Sequence, residues 1–201
     1  MCFHSQQSQD AQTLQKRFGA KFLKPQLYTP GIYNGFSFPA TPIITNSNPE
    51  SIQLFYWGLI PSWSKDIDFR KNTLNAKIET INEKPSFRQI VDQRCLILVD
   101  AFFEWQWLDS QGKKKQKYCI GLPDDSAFAL AGLWNAWVNP QTGEIMDTYT
   151  ILTTEANEQM SLIHNSKKRM PFVLLPEEES LWLENKILPR ERNICLKTTP
   201  I

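Results

Sequence analysis

The sequence predicts an α+β fold, a single domain over residues 1–201 built on a curved, largely antiparallel, barrel-like β-sheet with peripheral helices. Three observations predict it. Short runs rich in apolar and aromatic residues recur with turn signals between them, the helical periodicities are brief and lie outside those runs, and no linker, repeat or low-complexity tract divides the chain. A chain of 201 residues is long enough to bury one sizeable core.

Ser8 to Phe22 reads as an amphipathic helix, with Leu14, Phe18 and Phe22 at four-residue spacing. Proline-rich turns follow at Pro25, Pro30, Pro39 and Pro42. Ile52 to Trp57 and Cys95 to Val99 read as buried strands. Phe102 to Leu108 alternates aromatic and polar residues and is expected to pair with Tyr118 to Leu122 across the Asp109–Gly112 turn. Ala127 to Trp134 and Met146 to Thr153 add strands around Pro140-Gln141-Thr142-Gly143. Helices are expected over Ser86 to Asp92, Glu155 to Ile163 and Glu177 to Glu184, with Pro85 and Pro176 where a helix start tolerates proline.

Net charge is only +1, so any site for a polyanion must be local. The first residues lack the charged and apolar regions of a signal peptide, and no apolar run approaches the ~20 residues of a membrane span. Cys2, Cys95, Cys119 and Cys195 are scattered, and His4 and His164 are the two histidines. That pattern leads to the expectation of no metal site, no cofactor, no membrane, and a reducing cytoplasm.

Cys2 follows the initiator methionine. Removal of Met1 would put a free amine and a thiol on adjacent carbons, a 1,2-aminothiol able to condense with an aldehyde and close a five-membered thiazolidine. Alternatively, the residue is an accident of a flexible terminus. In Phe102-Phe103-Glu104-Trp105-Gln106-Trp107 the strand period puts Phe103, Trp105 and Trp107 on one face and Glu104 with Phe102 and Gln106 on the other. A carboxyl among aromatic rings has a raised pKa suited to acid–base work; a half-exposed strand would instead leave it a solvent-facing glutamate.

Asn75 can cap a helix or orient a substrate, and Lys77 shares its face of an extended segment. His164 precedes Lys167, Lys168 and Arg169, a grouping that suits proton transfer beside phosphate or, equally, the close of a helix. Lys113, Lys114, Lys115 and Lys117 read as a solvated hairpin tip. The Trp57–Trp63 turn has a tryptophan at each end, available for the core or for stacking on single-stranded nucleic acid.

In this order, Met1-Cys2, Trp57 to Trp63, Asn75 to Thr80, Phe103-Glu104-Trp105, His164 and Arg169-Met170-Pro171 resemble the SRAP (SOS-response-associated peptidase) family, whose members crosslink covalently to abasic sites in single-stranded DNA. The resemblance covers most of the chain. It implies a cofactor-independent monomer in which Cys2 is the nucleophile, exposed by self-processing of Met1, with a possible weak lyase activity. It implies that Asn75 holds the sugar or the amine, that Glu104 and His164 transfer protons, and that Lys77 and Arg169 bind phosphate. A local groove using Lys77, Arg88 and Arg169 is expected to neutralise a few phosphates. The segment from Trp57 to Trp63 would pack against DNA at the lesion. Two positions depart from the family pattern: Phe3-His4 stands where Gly-Arg is common, and Ser166-Lys167-Lys168 lengthens the loop after His164. An N-terminal-nucleophile cysteine hydrolase and a non-covalent single-strand binder are the rival readings.

Overall fold

The computed structural model describes residues 2–201. β1 (His4–Gln7) leads into α1 (Ala11–Phe18), whose N-cap Asp10 accepts from Thr13 N at 2.8 Å and whose C-cap is Gly19 at φ 64°. Then come β2 (Lys21–Phe22), β3 (Gly31–Asn34), β4 (Ala40–Thr45), β5 (Asn48–Trp57) and β6 (Asn75–Lys77). β7 (Arg94–Val99), β8 (Ala101–Trp107), β9 (Lys115–Gly121), β10 (Phe128–Val138) and β11 (Ile145–Glu155) follow. α2 (Glu158–Ile163), β12 (Arg169–Pro171), β13 (Val173–Leu174), α3 (Pro176–Leu183) and β14 (Lys197–Pro200) come last.

β11, β10, β7, β4 and β5 pair antiparallel in that order, and β5 returns to β11 in parallel through Tyr56–Thr148 and Trp57–Tyr149. The sheet is thereby a closed five-stranded barrel, sealed where Gly58 N donates to Tyr149 O at 2.9 Å. A second sheet, ordered β14-β9-β8-β1-β3, carries the β8–β9 hairpin. Among the described residues, no helix is long and apolar enough to cross a membrane.

The barrel strands bury both faces, which is why several read as unbroken apolar runs. Ile43, Phe55, Trp57, Ile97, Val99, Leu130, Tyr149 and Ile151 form one core, which also takes in Cys2, Phe102 and Met160. The alternating positions Ile44, Ile52, Leu96, Leu98, Ala129 and Leu152 form another, packed with Leu14 of α1 and Trp182 of α3. Burial on this scale contributes about 25 cal/mol per Å² of apolar surface removed from water.

Three expected helices need correction. The first is confined to Ala11–Phe18, because Gly19 takes the left-handed conformation and Phe22 pairs beside Ile52 in β2. Ser86 to Asp92 is not helical: Phe87 N→Lys84 O, Ile90 N→Phe87 O and Gln93 N→Ile90 O, each 2.9 Å, close separate turns. The segment beginning at Glu155 stays in β11 through that residue, and α2 starts only after Asn157, whose side chain caps Met160 N at 2.9 Å. Pro42, expected in a turn, lies within β4; the pairing of β4 with β7 begins at Ile43, so its missing N–H interrupts no ladder there.

Gly132 of β10 sits where a Cβ would come within 2.6 Å of Ile97 Cδ1 and 2.8 Å of Thr150 O. Because the second contact is backbone, Gly132→Ala must push barrel strands apart. Expected is a loss of about 1–3 kcal/mol, read as a lower denaturant midpoint at unchanged slope.

Candidate active site and nucleic-acid interface

Cys2 precedes β1, which runs antiparallel to β8 with Ser5 opposite Phe102. Continuing that register sets Phe3 opposite Glu104, and Cys2, one residue earlier, is close enough to that carboxyl to feel its charge. Cys2 is wholly buried. Its thiol pKa is pushed well above the ordinary value, first by burial and then by the Glu104 carboxylate. Asn75 reaches it from β6, where Asn75 Nδ2 donates to Cys2 O at 2.8 Å. Among the described residues, the buried Asn75 Oδ1 receives no donor.

Glu104 is 3% exposed, and burial raises its carboxyl above the usual range. The expected strand faces hold. Gln106, on the face of Glu104, donates through Nε2 to Leu162 O of α2 at 3.0 Å, whereas Lys117 lies over Phe103 on the opposite face. His164 is the C-cap of α2, and its Nε2 stands 3.9 Å from Glu104 Oε2. Burial lowers its pKa to about 4, so the imidazole is neutral at pH 7 and the contact is not an ion pair. His164 Nδ1 lies 2.6 Å from Arg169 O and 3.3 Å from Arg169 N. The shorter contact assigns the proton to Nδ1, leaving Nε2 with its lone pair toward Glu104. The lengthened loop keeps His164 in place, since Lys168 N donates back to His164 O at 2.8 Å.

Arg169 is 9% exposed. Its guanidinium holds Glu79 in a two-pronged pair at 2.8 and 2.9 Å and donates to Thr153 O at 2.6 Å. That corrects its expected place in a phosphate groove: its charge is committed to Glu79, and it secures the loop after His164. Trp57 needs a similar correction. It has no exposed surface, donates through Nε1 to Leu74 O at 2.9 Å and stacks on Tyr149, so it belongs to the core.

Trp63 is 49% exposed, packs edge-on against Phe69 and donates to Pro85 O at 3.2 Å. Beside it lies a cleft of about 470 Å³ whose lining includes Asn75, Lys77, Lys84 and Pro85. Asn75 and exposed Lys77 alternate with buried Ala76 along β6. Lys84 is a cation the sequence reading missed; its only signal was its place before Pro85. Arg88 is exposed on the same run of turns, its N–H bonded to Lys84 O. The larger cleft of about 630 Å³, lined by residues such as Glu79, Asn157, Arg190 and Arg192, contains none of Cys2, Asn75, Glu104 or His164. The expected removal of Met1 lies outside the described residues.

The chain matches the family model described as SOS response associated peptidase over residues 1–200. It is 39% identical over 167 residues to the abasic site processing protein YoqW of Bacillus subtilis (strain 168), covering 83% of this chain and 72% of that one. It is 33% identical over 157 residues to the abasic site processing protein HMCES of Gallus gallus, covering 66% of this chain and 45% of the relative. A solved protein structure from Bacteroides thetaiotaomicron superposes with a TM-score of 0.88 at 35% identity, covering 100% of this chain and 92% of that one.

The His164 pKa carries a stability signature. Its folded value is depressed below the unfolded ~6.5, so the stability it contributes is present above pH ~6.5 and is lost as pH falls toward about 4. A histidine titration by NMR should place the His164 midpoint near pH 4; a midpoint near 6.5 would contradict the buried geometry. Arg169→Ala should cost on the order of 2 kcal/mol, below the 3–5 kcal/mol of a fully buried pair because the Glu79 side chain keeps 27% exposure. Arg88→Ala should stay within about 0.5 kcal/mol in the same denaturation assay.

Proposed function

The chain belongs to the SOS response associated peptidase family, and on that premise we propose that it processes abasic sites by forming a covalent thiazolidine crosslink between Cys2 and the lesion in single-stranded DNA. The observation that carries the reading is the convergence on Cys2 of Asn75, which holds its carbonyl, and of the uncharged-leaning pair Glu104 and His164. The names of the relatives supply the substrate class.

Removal of Met1 frees the Cys2 amine. Cys2 is wholly buried in the unprocessed chain, so the reading requires that processing open the terminus to the strand. Asn75 Oδ1, a buried acceptor, is suited to hold the new amine. An abasic deoxyribose is mainly a closed hemiacetal, and a protonated Glu104 can donate to the ring oxygen as the C1′–O4′ bond breaks and the C1′ hydroxyl gives its proton to water, opening the aldehyde. The amine adds to C1′, one water leaves and an imine remains. The thiol then adds across the C=N bond, its sulfur to carbon and its proton to nitrogen, closing the ring. An imine that stalls before closure is open to β-elimination, which would appear as weak lyase activity. Lys77, Lys84, Arg88 and Trp63 border the approach to Asn75 and suit the flanking strand.

Intact mass and denaturing gels after incubation with abasic single-stranded DNA decide the matter. The wild type should lack Met1 and give a heat-stable adduct; an equally stable adduct from Cys2→Ala would sink the thiazolidine. Turnover of glutamine or peptide without DNA would favour the hydrolase reading. Glu104→Gln should retain DNA affinity but slow crosslinking by about 10²–10⁴; formation at the wild-type rate would leave Glu104 without a role in proton transfer.

A further inference from the structure

The second sheet has a face that the chemistry above does not use. On β8 the side chains opposite Glu104 are Phe103, Trp105 and Trp107, and the partners facing them on β9 are Cys119, Lys117 and Lys115. β1 adds His4 and Gln6 to this face, because Ser5 lies opposite inward-facing Phe102. None of these positions is acidic. The rings and cations are interleaved: Lys117 Nζ is 4.3 Å from the Phe103 ring centroid and 5.8 Å from that of Trp105, and Lys115 Nζ is 5.6 Å from that of Trp107. His4 packs edge-on to Trp105 at 5.0 Å. Burial and Lys117 both lower the His4 pKa, so at neutral pH it offers this face a ring and not a charge.

The tip of the hairpin extends the same character. Lys113 and Lys114 are exposed there, while the nearby Asp109 carboxylate is occupied by the backbone N–H groups of Gln111, Lys113 and Lys114. Gly112, at φ 65°, lets the turn close over the Trp107 indole; a Cβ there would come within 2.5 Å of that ring. The hairpin is fixed to the loop after His164 by a fork in which Trp107 N donates to Asn165 Oδ1 and Asn165 Nδ2 donates to Trp107 O.

We propose that this face, carried by Trp105, Trp107, Lys115 and Lys117, is a second track for single-stranded nucleic acid, gripping the strand beyond the lesion. The occupant follows from the chemistry. A net charge of +1 provides no general attraction for polyanions, yet here Lys115 and Lys117 stand together among rings, while the Asp100 carboxylate lies at the far end of the face and is held by Gln6 and Ser8. Half-buried indoles beside ammonium groups are the combination that engages both a base and a phosphate. Trp105 and Trp107 are about 7 Å apart along the strand, far enough to meet different bases. The face is continuous with the reactive end of the chain, since His4 lies two residues from Cys2. This inference rests on the reading of Cys2 as the lesion-binding residue only for the direction of the track, and the test separates the two.

The probe is an undamaged, fluorescein-labelled single-stranded DNA of roughly twelve nucleotides, within the usual range for such a sheet. Its affinity is measured by anisotropy across a salt series for wild type, for Lys115→Gln with Lys117→Gln, and for Trp107→Ala. Glutamine keeps most of the stem that covers Phe103. The lysine double variant should bind several-fold more weakly, with a log–log salt slope shallower by about 1.4, or ~0.7 for each phosphate contact removed. Trp107→Ala should weaken binding roughly tenfold at little change in slope. In parallel, each protein is offered a very short abasic oligonucleotide that reaches only the Cys2 site, and adduct yield should equal that of wild type. Unchanged affinity and slope in the double variant would overturn the track. Loss of adduct with the short oligonucleotide in the variants would also overturn it, because the face would then be acting on the chemistry. Failure of the wild type to form an adduct would remove the Cys2 reading instead, while the anisotropy series would still decide for or against the track.

Discussion

β11 holds four strands at once: β10 and then β12 along one edge, where Phe172 N donates to Leu152 O, and β5 and then β6 along the other, where Ile78 N donates to Thr153 O. The parallel contact with β5 closes the barrel. The parallel run with β6 sets Asn75 opposite Ile151, and the antiparallel run with β12 sets Arg169 opposite Glu155. α2 leaves directly from the end of β11 and delivers His164. Because side chains alternate with a period of two, a slip of β11 by one residue would turn Tyr149 and Ile151 out of the core and misplace Asn75 and His164 together. The fully buried Trp57 and Tyr149, stacked at the seam of the closure, oppose such a slip.

Much of this was legible in the sequence, and what was missed shares a cause. The long strands β5, β7, β8, β10 and β11 carry enough consecutive apolar or alternating residues to declare themselves. β6, β12 and β13 are two or three residues long and exist only because β10 or β11 offers an edge, which no local pattern records. Pro42 suggested a turn because proline is a turn former wherever ladder bonding is not known, and it lies in β4. The turns after Pro85 imitate a helix start, but their i→i+3 bonds do not continue into a helix. In the candidate site, Glu104 and Cys2 were legible from residue chemistry, and the strand period correctly gave the face of Glu104. Trp57 and Arg169 were harder, because a tryptophan on a turn and an arginine in a basic run look exposed until their partners are known. Leu74 O, Tyr149, Glu79 and Thr153 come from distant parts of the chain.

The electrostatics of Glu104 and His164 run in opposite directions for the same reason. Removal from water disfavours the charged form of each, which raises the acid and lowers the base. The result is a carboxyl with a raised pKa and a neutral imidazole, 3.9 Å apart and not a formal ion pair. A neutral imidazole costs far less to bury than an isolated cation, which is why the shift of His164 is downward. Arg169 sets the geometry through its backbone: the carbonyl that receives Nδ1–H belongs to the residue whose guanidinium is clamped by Glu79. The loop lengthened by Ser166, Lys167 and Lys168 can therefore vary at its tip while its two ends stay fixed.

The raised thiol pKa of Cys2 bears on the order of events in the proposed chemistry. In the unprocessed chain a wholly buried sulfur beside Glu104 is a thiol at neutral pH, which favours a sequence in which it follows the amine. In the proposed sequence the amine, whose ordinary pKa of ~7.7–8.0 leaves a useful neutral fraction, would be the first nucleophile, and the sulfur would act once an imine is in place. Glu104 connects the two steps. When ionised it helps keep the proton on sulfur, and when protonated it withdraws that influence and holds the proton that ring opening needs. In the proposed chemistry the carboxyl that would activate the sugar would thus also govern when the thiol becomes reactive. Such coupling requires Glu104 to stay poorly solvated throughout, and the packing of β8 against α2, tied by Gln106 to Leu162 O, is what keeps its pKa raised.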